Sequence, residues 1–286
     1  MSISLSIARC MLVAVLVSGA SAAAPAAESS FREAVRRTLS PGKPAEEHPI
    51  VPGLPAELDQ VIALEYSVLL YKEGIEQAVN PASYSFGPGD KIRVRIQPLS
   101  GLYLYIFYED ATGRRHCLLP ADRNTPWLAK QGQPVELPTD GSVFEFDSKS
   151  GEDELTVVAL SNPDDDLAAM CDLVCKKMEN KLTPEERVTQ GELRARSQSR
   201  LKMLEDRQSR AIRFRGAIDE GALSKVSAEW KQAGAAAAVL EEPPRDRQMS
   251  TLALSAAKAG TPPALLVTIP LRSGAKPDSI KSAKRP

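Results

Sequence analysis

Two patterns of hydrophobic and polar residues divide this chain of 286 residues. Between residues 61 and 160 the apolar residues occur in short runs separated by glycine and proline. Residues 91–97 alternate strictly between apolar and polar side chains, which predicts a strand with one solvated face. Residues 102–108 are apolar on both faces, which predicts a central strand covered on both sides. Short strands at this spacing are typical of a β-sandwich or an open barrel.

The second half of the chain has the periodicity of helices. Asn162-Pro163 followed by three aspartates predicts a helix start, because acidic groups stabilise the positive end of the helix dipole. Thr183-Pro-Glu-Glu186 has the spacing of a capping box and predicts a second helix, which Gly191 breaks or restarts and which continues to Gly216. The alanine-rich stretch at residues 230–240 is predicted to be helical as well.

One apolar run returns near the end of the chain. Residues 264–269 have the sequence of a strand, and Pro270 confines that strand to a sheet edge, a strand end or a bulge. Its side chains need an apolar partner, which the β-domain supplies. The sequence therefore predicts an α+β fold: an antiparallel β-sandwich or open barrel with a helical insertion and a returning C-terminal strand.

The N-terminus has the order of a secretory signal peptide. Arg9 precedes an apolar run, and Ala20-Ser21-Ala22 supplies the small residues of a cleavage site. The run is too short to cross a bilayer, which takes roughly 20 residues, and Cys10 lies before it rather than at the cleavage point. We therefore expect cleavage after Ala22, a periplasmic or secreted protein, and no transmembrane segment in the mature chain.

These patterns predict the organisation of the whole chain. Phe31, Val35 and Leu39 recur every four residues and allow a short helix before the β-domain, although nothing there requires a packed core. The predicted segments are a signal peptide at 1–22, a linker at 23–55, a β-domain at 56–162, a mainly helical region at 163–260, a returning strand at 261–273 and a disordered tail at 274–286.

Charge and cysteine content exclude some classes of protein. The chain has 36 basic and 37 acidic residues, and loss of Arg9 with the signal leaves 35 against 37, a net charge of −2. Such balance argues against a nucleic-acid-binding protein. Cys117, Cys171 and Cys175 remain after cleavage, an odd number that forms no complete disulfide framework. We expect buried thiols or one disulfide rather than a zinc site, and no cofactor.

Familiar catalytic motifs are absent from the sequence. It contains no nucleophile elbow, no zinc-protease motif and no phosphate-binding loop. His116 and Cys117 are adjacent on a strand and point to opposite faces, so they cannot act as a dyad. His48 lies in the linker. The aspartates at 164–166 lack the alternating pattern of a calcium loop and are explained by helix capping.

The β-domain resembles the bacterial family catalogued as domain of unknown function 4384, over about residues 68–161. The resemblance rests on the order and spacing of several short features: Tyr71 and Gly74, Phe86, Gly89-Asp90, Ile92 and Val94, Tyr103-Leu-Tyr105, Asp110, Gly113, Leu119-Pro120, Asn124, Leu137-Pro138 and residues 151–157. It implies a bacterial protein of the envelope, since members are often exported and joined to envelope modules. No catalytic residues are assigned to the family, so it implies none here.

Two groups of residues are candidates for binding. Tyr103 and Tyr105 form either core or a stacking platform for a sugar or a peptide. Residues 183–215 hold nine basic against five acidic residues, which predicts either a solvated helix face or a contact with anionic lipid, polymer or protein. The basic candidates in this segment are Arg194, Arg200 and Arg207.

The sequence therefore favours an exported bacterial envelope protein that acts as a non-enzymatic binding or scaffolding module. Its partner would be an envelope protein or a cell-surface polymer, and not nucleic acid. The alternative is a hydrolase of unrecognised type with a carboxylate-based site, in which Asp90 or Asp110 would pair with a second acid. Two converging, desolvated acids in a deep pocket would favour the enzyme, and a shallow groove or flat patch would favour the binding module.

Overall fold

The computed structural model describes residues 31–39, 51–120, 127–147, 151–178, 182–244 and 250–274. Within these ranges the helices are α1 (Phe31–Thr38), α2 (Asp165–Met178), α3 (Pro184–Ser209) and α4 (Glu220–Ala233). The strands are β1 (Gln60–Lys72), β2 (Ile75–Val79), β3 (Lys91–Pro98), β4 (Leu102–Glu109), β5 (Arg115–Leu119), β6 (Trp127–Ala129), β7 (Val135–Leu137), β8 (Phe144–Glu145), β9 (Gly151–Leu160), β10 (Ile212–Arg215), β11 (Ala237–Glu242), β12 (Thr251–Ala257) and β13 (Ala264–Ser273).

The strands form two sheets that stack as a sandwich, which confirms the predicted α+β class. The larger sheet has the order β10-β11-β12-β1-β3-β7, with β2 also paired to β1 and β8 to β3. The smaller sheet has the order β13-β9-β4-β5, with β6 also paired to β4. All these pairs are antiparallel except β10 with β11.

Three apolar clusters hold four layers together. The first lies between the two sheets and includes Ile92, Val94 and Ile96, the apolar side chains of the predicted alternating strand. A second cluster joins the outer face of the larger sheet to α1 and α4. The third joins the outer face of the smaller sheet to α2 and α3. Because helices cover both outer faces, several strands are buried on both sides.

Strand β4 is central, as the sequence predicts. It pairs with β9 on one side and with β5 and β6 on the other. Leu104 and Ile106 contribute to the core between the sheets, whereas Tyr105 and Phe107 contribute to the core under α2 and α3. The alternation of strand side chains thus explains why both faces of this segment are apolar.

The returning strand is confirmed. β13 pairs antiparallel with β9 along its whole length, from Ala264 opposite Leu160 to Ser273 opposite Gly151. Pro270 lies opposite Glu154, and β13 is an edge strand of its sheet. Proline is tolerated there because its missing N–H can face away from the neighbouring strand.

The segment before the β-domain differs from the expectation of a linker without a core. Phe31, Val35 and Leu39 are buried in the second cluster together with Trp230 of α4. Arg32 of the same helix is 2% exposed and forms an ion pair of 2.9 Å with Glu242 at the end of β11. Helix α1 is therefore part of the folded unit, because its apolar stripe has a sheet to cover.

The region predicted to be mainly helical is in part β-structure. α3 runs unbroken through Gly191 and ends at Ser209, so the predicted continuation to Gly216 is wrong and residues 212–215 form β10. Residues 237–242 form β11 rather than the end of a helix, and β12 was not predicted. These strands extend the larger sheet from β1, which pairs with β12 over seven residues.

Candidate functional site

A cavity of about 300 Å³ opens at one end of the sandwich, where both sheets and the β4–β5 turn meet. We call it the acidic pocket. Four of its lining residues carry carboxyl groups and three are aromatic. The lining residues are Tyr108, Asp110, Ala111, Thr112, Phe144, Glu145, Phe146, Asp147, Asp153, Leu155, Leu271 and Ser273.

The β4–β5 turn forms one rim of the acidic pocket. The carboxylate of Asp110 accepts hydrogen bonds from the backbone N–H and hydroxyl of Thr112, at 2.9 and 2.6 Å, and from the N–H of Arg114 at 3.0 Å. These bonds, first that of the Thr112 side chain, lower the pKa of Asp110. Asp110 therefore stays ionised at neutral pH and holds the turn.

The same turn packs closely against the start of β9. A Cβ atom placed on Gly151 would lie 2.3 Å from the Cβ of Ala111, so only glycine fits at this position. The N–H of Ala111 donates a hydrogen bond of 2.8 Å to Asp153 of β9. The turn and the strand therefore form one rigid wall.

Aromatic rings form another part of the pocket lining. Phe146 stacks on the buried Phe86, with ring centroids 4.5 Å apart and planes 1° from parallel. The turn before β3 fixes this pair, because the N–H of Gly89 donates to the carbonyl of Phe146 at 2.8 Å and Asp90 accepts from the N–H of Gly87 at 2.8 Å. The motif from Phe86 to Asp90 thus positions a wall of the pocket.

Tyr108 joins the aromatic wall to the acids. Its hydroxyl donates a hydrogen bond of 2.9 Å to Asp153, and its ring lies 6.3 Å from that of Phe144. Burial, then the hydrogen bond to Asp153 and the nearby negative charges, raises the pKa of Tyr108 well above its ordinary value. The phenol therefore remains a neutral donor at physiological pH.

The acidic pocket has an excess of negative charge. Among its lining residues Asp110, Glu145, Asp147 and Asp153 are acidic, and none of the described lining residues is basic. Lys91 lies 3.5 Å from Glu145, but both side chains are at least half exposed, so solvent screens that pair. A partly enclosed site with one sign of charge and aromatic walls attracts organic cations.

The predicted tyrosine platform is not exposed as a unit. Tyr105 is buried, and its hydroxyl donates to the carbonyl of Asp164 at 3.1 Å and accepts from its N–H at 2.7 Å. Burial in particular raises the pKa of Tyr105 to about 12. Tyr103 is half-buried against the same cluster under α2. Both tyrosines thus attach the helical layer to the sheet.

The predicted basic candidates serve in part to attach α3 to α2. Arg200 pairs with Asp164, whose Oδ1 atom caps α2 by accepting from the N–H of Leu167 at 3.0 Å. Arg196 pairs with Asp166 at 2.6 Å. Arg207 is half-buried in the last turn of α3. Arg194 belongs to α3, but its side chain lies outside the described part of the chain.

The cysteines behave as small core side chains where the structure describes them. Cys117 and Cys171 are buried, and both thiols donate to the carbonyl of Leu119, at 3.2 and 3.5 Å. The side chain of Cys175 lies outside the described residues, as does His48. His116 lies beside Tyr108, with ring centroids 5.8 Å apart.

The described residues include neither a cluster of potential metal ligands nor a helix that could cross a membrane. No group of three or more histidine, cysteine, aspartate and glutamate side chains among them could hold a metal ion. None of the helices in these ranges has the length and apolarity needed to cross a membrane.

The sequence points to Asp90 and Asp110 but not to Asp147 or Asp153, which also lie at this end of the sandwich. The first two belong to recognisable turns. Asp153 lies in an acidic run at the start of β9, and only the pairing of β9 with β4 brings it to Tyr108. The signal available in the sequence was the acidic cluster at 152–154, next to the aromatic pair Phe144 and Phe146.

The family described as Domain of unknown function (DUF4384) matches residues 85–163. The match confirms the resemblance found from the sequence, although it begins later than residue 68. It includes β3 to β9 and all of the acidic pocket except Leu271 and Ser273 of β13. No curated protein and no solved structure matches the chain.

Proposed function

We propose that this protein is an exported, non-enzymatic binding module of the bacterial envelope, and that the acidic pocket binds a cationic group of its partner. The observation behind the proposal is the combination of Asp110, Glu145, Asp147 and Asp153 with three aromatic rings in one cavity. Carboxylates attract a guanidinium or ammonium group, and the ring faces stabilise it further by cation–π contact. Lysine and arginine side chains of a partner protein are the expected ligands.

The same geometry favours binding over the hydrolase alternative. A general acid needs a raised pKa near the working pH, whereas the pKa of Asp110 is lowered. Asp153 already accepts hydrogen bonds from Tyr108 and Ala111, and Asp90 holds the turn before β3. Their hydrogen bonds fix these carboxylates in place, which suits the recognition of a cation.

The charge of the pocket predicts which ligand binds. A short peptide with one arginine between glycine and serine residues is expected to bind more tightly than the same peptide with neutral citrulline. Asp147→Asn removes one charge without changing the shape of the side chain, and we expect about 10-fold weaker binding of the arginine peptide, since charge-assisted hydrogen bonds contribute about 1.5–3 kcal/mol. Isothermal titration calorimetry measures both comparisons.

Glu152→Gln is the matched control, because Glu152 lies in β9 next to Asp153 but outside the pocket, with a 77% exposed side chain. It should leave the affinity unchanged. Equal affinity for arginine and citrulline peptides, or equal losses in the Asp147 and Glu152 variants, would contradict a cation site at this pocket.

Export is the second part of the proposal. It is supported by the order of Arg9, the apolar run and Ala20-Ser21-Ala22 in the sequence. The protein isolated from cell envelopes or culture medium is expected to begin at Ala23. N-terminal sequencing checks this, and material that stays in the cytoplasm and still begins at Met1 would contradict export.

A further inference from the structure

The larger sheet extends beyond the smaller one on the side of β13. β13 is the last strand of the smaller sheet and contacts β12 and β1 of the larger sheet. In the larger sheet, β11 and β10 follow β12 on the same side. Stacked sheets of a sandwich normally cover each other, so the inner face of β10 and β11 lacks a partner strand among the described residues.

A cavity of about 260 Å³ occupies this position, and we call it the edge slot. Its floor is apolar, because Val239 and Ala253 belong to the core between the sheets together with Leu265 and Val267 of β13. Gln208 at the end of α3 closes one side. The slot is distinct from the acidic pocket and shares none of its lining residues.

Strand β10 brings positive charge to the slot. Ile212 and Phe214 pack on the cluster under α4, so the alternating side chains Arg213 and Arg215 project to the opposite, inner face. Arg215 lies 3.7 Å from Glu241, whereas Arg213 forms no ion pair with a described residue. Both arginine side chains are exposed, at 60% for Arg215, so they are accessible to an anionic group that enters the slot.

The backbone of β13 offers hydrogen bonds on this side. Leu266 accepts a hydrogen bond of 3.0 Å from the side chain of Gln208, and Arg272 accepts one of 2.9 Å from the N–H of Phe86. Both carbonyls therefore point away from β9. Successive residues of a strand direct their backbone N–H and C=O groups to alternate sides, so the backbone groups of Thr268 and Pro270 also point away from β9. The N–H and the carbonyl of Thr268 therefore lie at an exposed edge.

A buried polar atom marks the same place. Gln208 is 5% exposed, and its Oε1 atom has no hydrogen-bond partner among the described residues. Its Nε2 atom already donates to Leu266. A buried amide oxygen without a donor is uncommon in folded proteins, and a peptide N–H arriving at the edge of β13 is the kind of group that would satisfy it.

We propose that the edge slot binds an extended acidic segment of a partner protein, which adds a strand to the smaller sheet beside β13. A strand at the usual spacing of about 4.8 Å from β13 lies over the inner face of β11 and β10. Backbone hydrogen bonds to Thr268 hold it, as in other complexes formed by strand addition. Its acidic side chains pair with Arg213 and Arg215, which selects acidic sequences.

The probe is a fluorescein-labelled heptapeptide in which glutamate alternates with threonine, and its binding to the full chain is followed by fluorescence anisotropy. Thr268→Pro removes the outward N–H without removing a bond to β9, as Pro270 already does two residues later. We expect binding to weaken at least 10-fold. Thr268→Val keeps the N–H and the strand propensity, and it should bind like the natural protein.

Charge reversal provides an independent readout. Arg213→Glu should weaken the glutamate peptide at least 10-fold and improve binding of the matched peptide with lysine in place of glutamate. The proposal is overturned if Thr268→Pro, folded by circular dichroism, binds like Thr268→Val, because the slot would then be a simple anion site. It is also overturned if the peptide does not bind and Thr268→Pro instead converts a dimer to a monomer, because a second copy would then fill the slot.

Discussion

A chain that ends at Gly260 is expected to lose its cooperative unfolding transition. It lacks β13, whose inward side chains Leu265, Val267, Ile269 and Leu271 are all buried between the sheets. Burial of each such side chain contributes about 1.5–3 kcal/mol, so the set contributes an amount comparable to the total stability of a typical domain, about 5–15 kcal/mol. Loop-closure entropy does not forbid the return of a distant strand, because it grows only with the logarithm of loop length.

A chain that ends at Gly274 is the control for this truncation. It keeps β13 and removes only the residues that follow, so its melting transition by circular dichroism should match that of the full chain. The chain ending at Gly260 should expose the apolar edge of β9 and associate. A monomer with an unaltered melting temperature would show that β13 contributes little to the fold.

Arg32→Ala is expected to lower the free energy of unfolding by about 3–5 kcal/mol, because it breaks a buried ion pair by removing one of its two charges. The guanidinium of Arg32 pairs with Glu242 and donates further hydrogen bonds to the carbonyls of Glu242 and Pro243, at 2.9 and 3.2 Å. It also donates to Ser250 at 3.0 Å. Helix α1 is thereby joined to the larger sheet at the end of β11.

Arg37→Ala provides the control on the same helix. Arg37 is 68% exposed and pairs with Glu33 four residues earlier, and such exposed helix pairs contribute only about 0.3–0.5 kcal/mol. Replacement of both Arg32 and Glu242 by methionine should recover much of the loss, because neither position then carries a buried charge. Urea denaturation measures the free energy of unfolding of all three variants. Equal effects of the Arg32 and Arg37 variants would contradict a structural role for α1.

The strands that the sequence predicts correctly are those whose side chains follow the usual preferences of strands. β3 alternates and is rich in β-branched residues, β4 is apolar on both faces, and β13 combines an apolar run with a proline at its outward side. Their local preferences agree with the fold, so pattern alone is enough to identify them.

The strands that the sequence did not predict are made of residues that favour other structures. β11 contains alanine and glutamate, which are good helix formers, and β12 is largely alanine, serine and leucine. Pairing with β1 and burial on both faces override these preferences. Gly234, which has a φ of 60° and ends α4, was the available sign that the alanine-rich stretch was not one helix.

The candidate site depended on the same kind of long-range pairing. The turn at Asp110 and Gly113 could be read from the sequence, because its residue types match a hairpin. That Asp147 and Asp153 line the same cavity could not be predicted. Asp147 follows β8 and Asp153 lies in β9, and only the folded sheets define which strands these two pair with. The edge slot likewise exists only because the two sheets differ in extent.

The most direct test of the acidic pocket as a cation site is a nuclear magnetic resonance titration of the ¹⁵N-labelled protein with the arginine peptide, compared with its citrulline counterpart. We expect saturable shifts of the backbone amides of Ala111, Thr112, Asp147 and Asp153, which line the pocket, with the arginine peptide alone. Shifts that are the same with both peptides, or that spread over exposed acidic residues such as Glu152, would contradict a cation site at the acidic pocket.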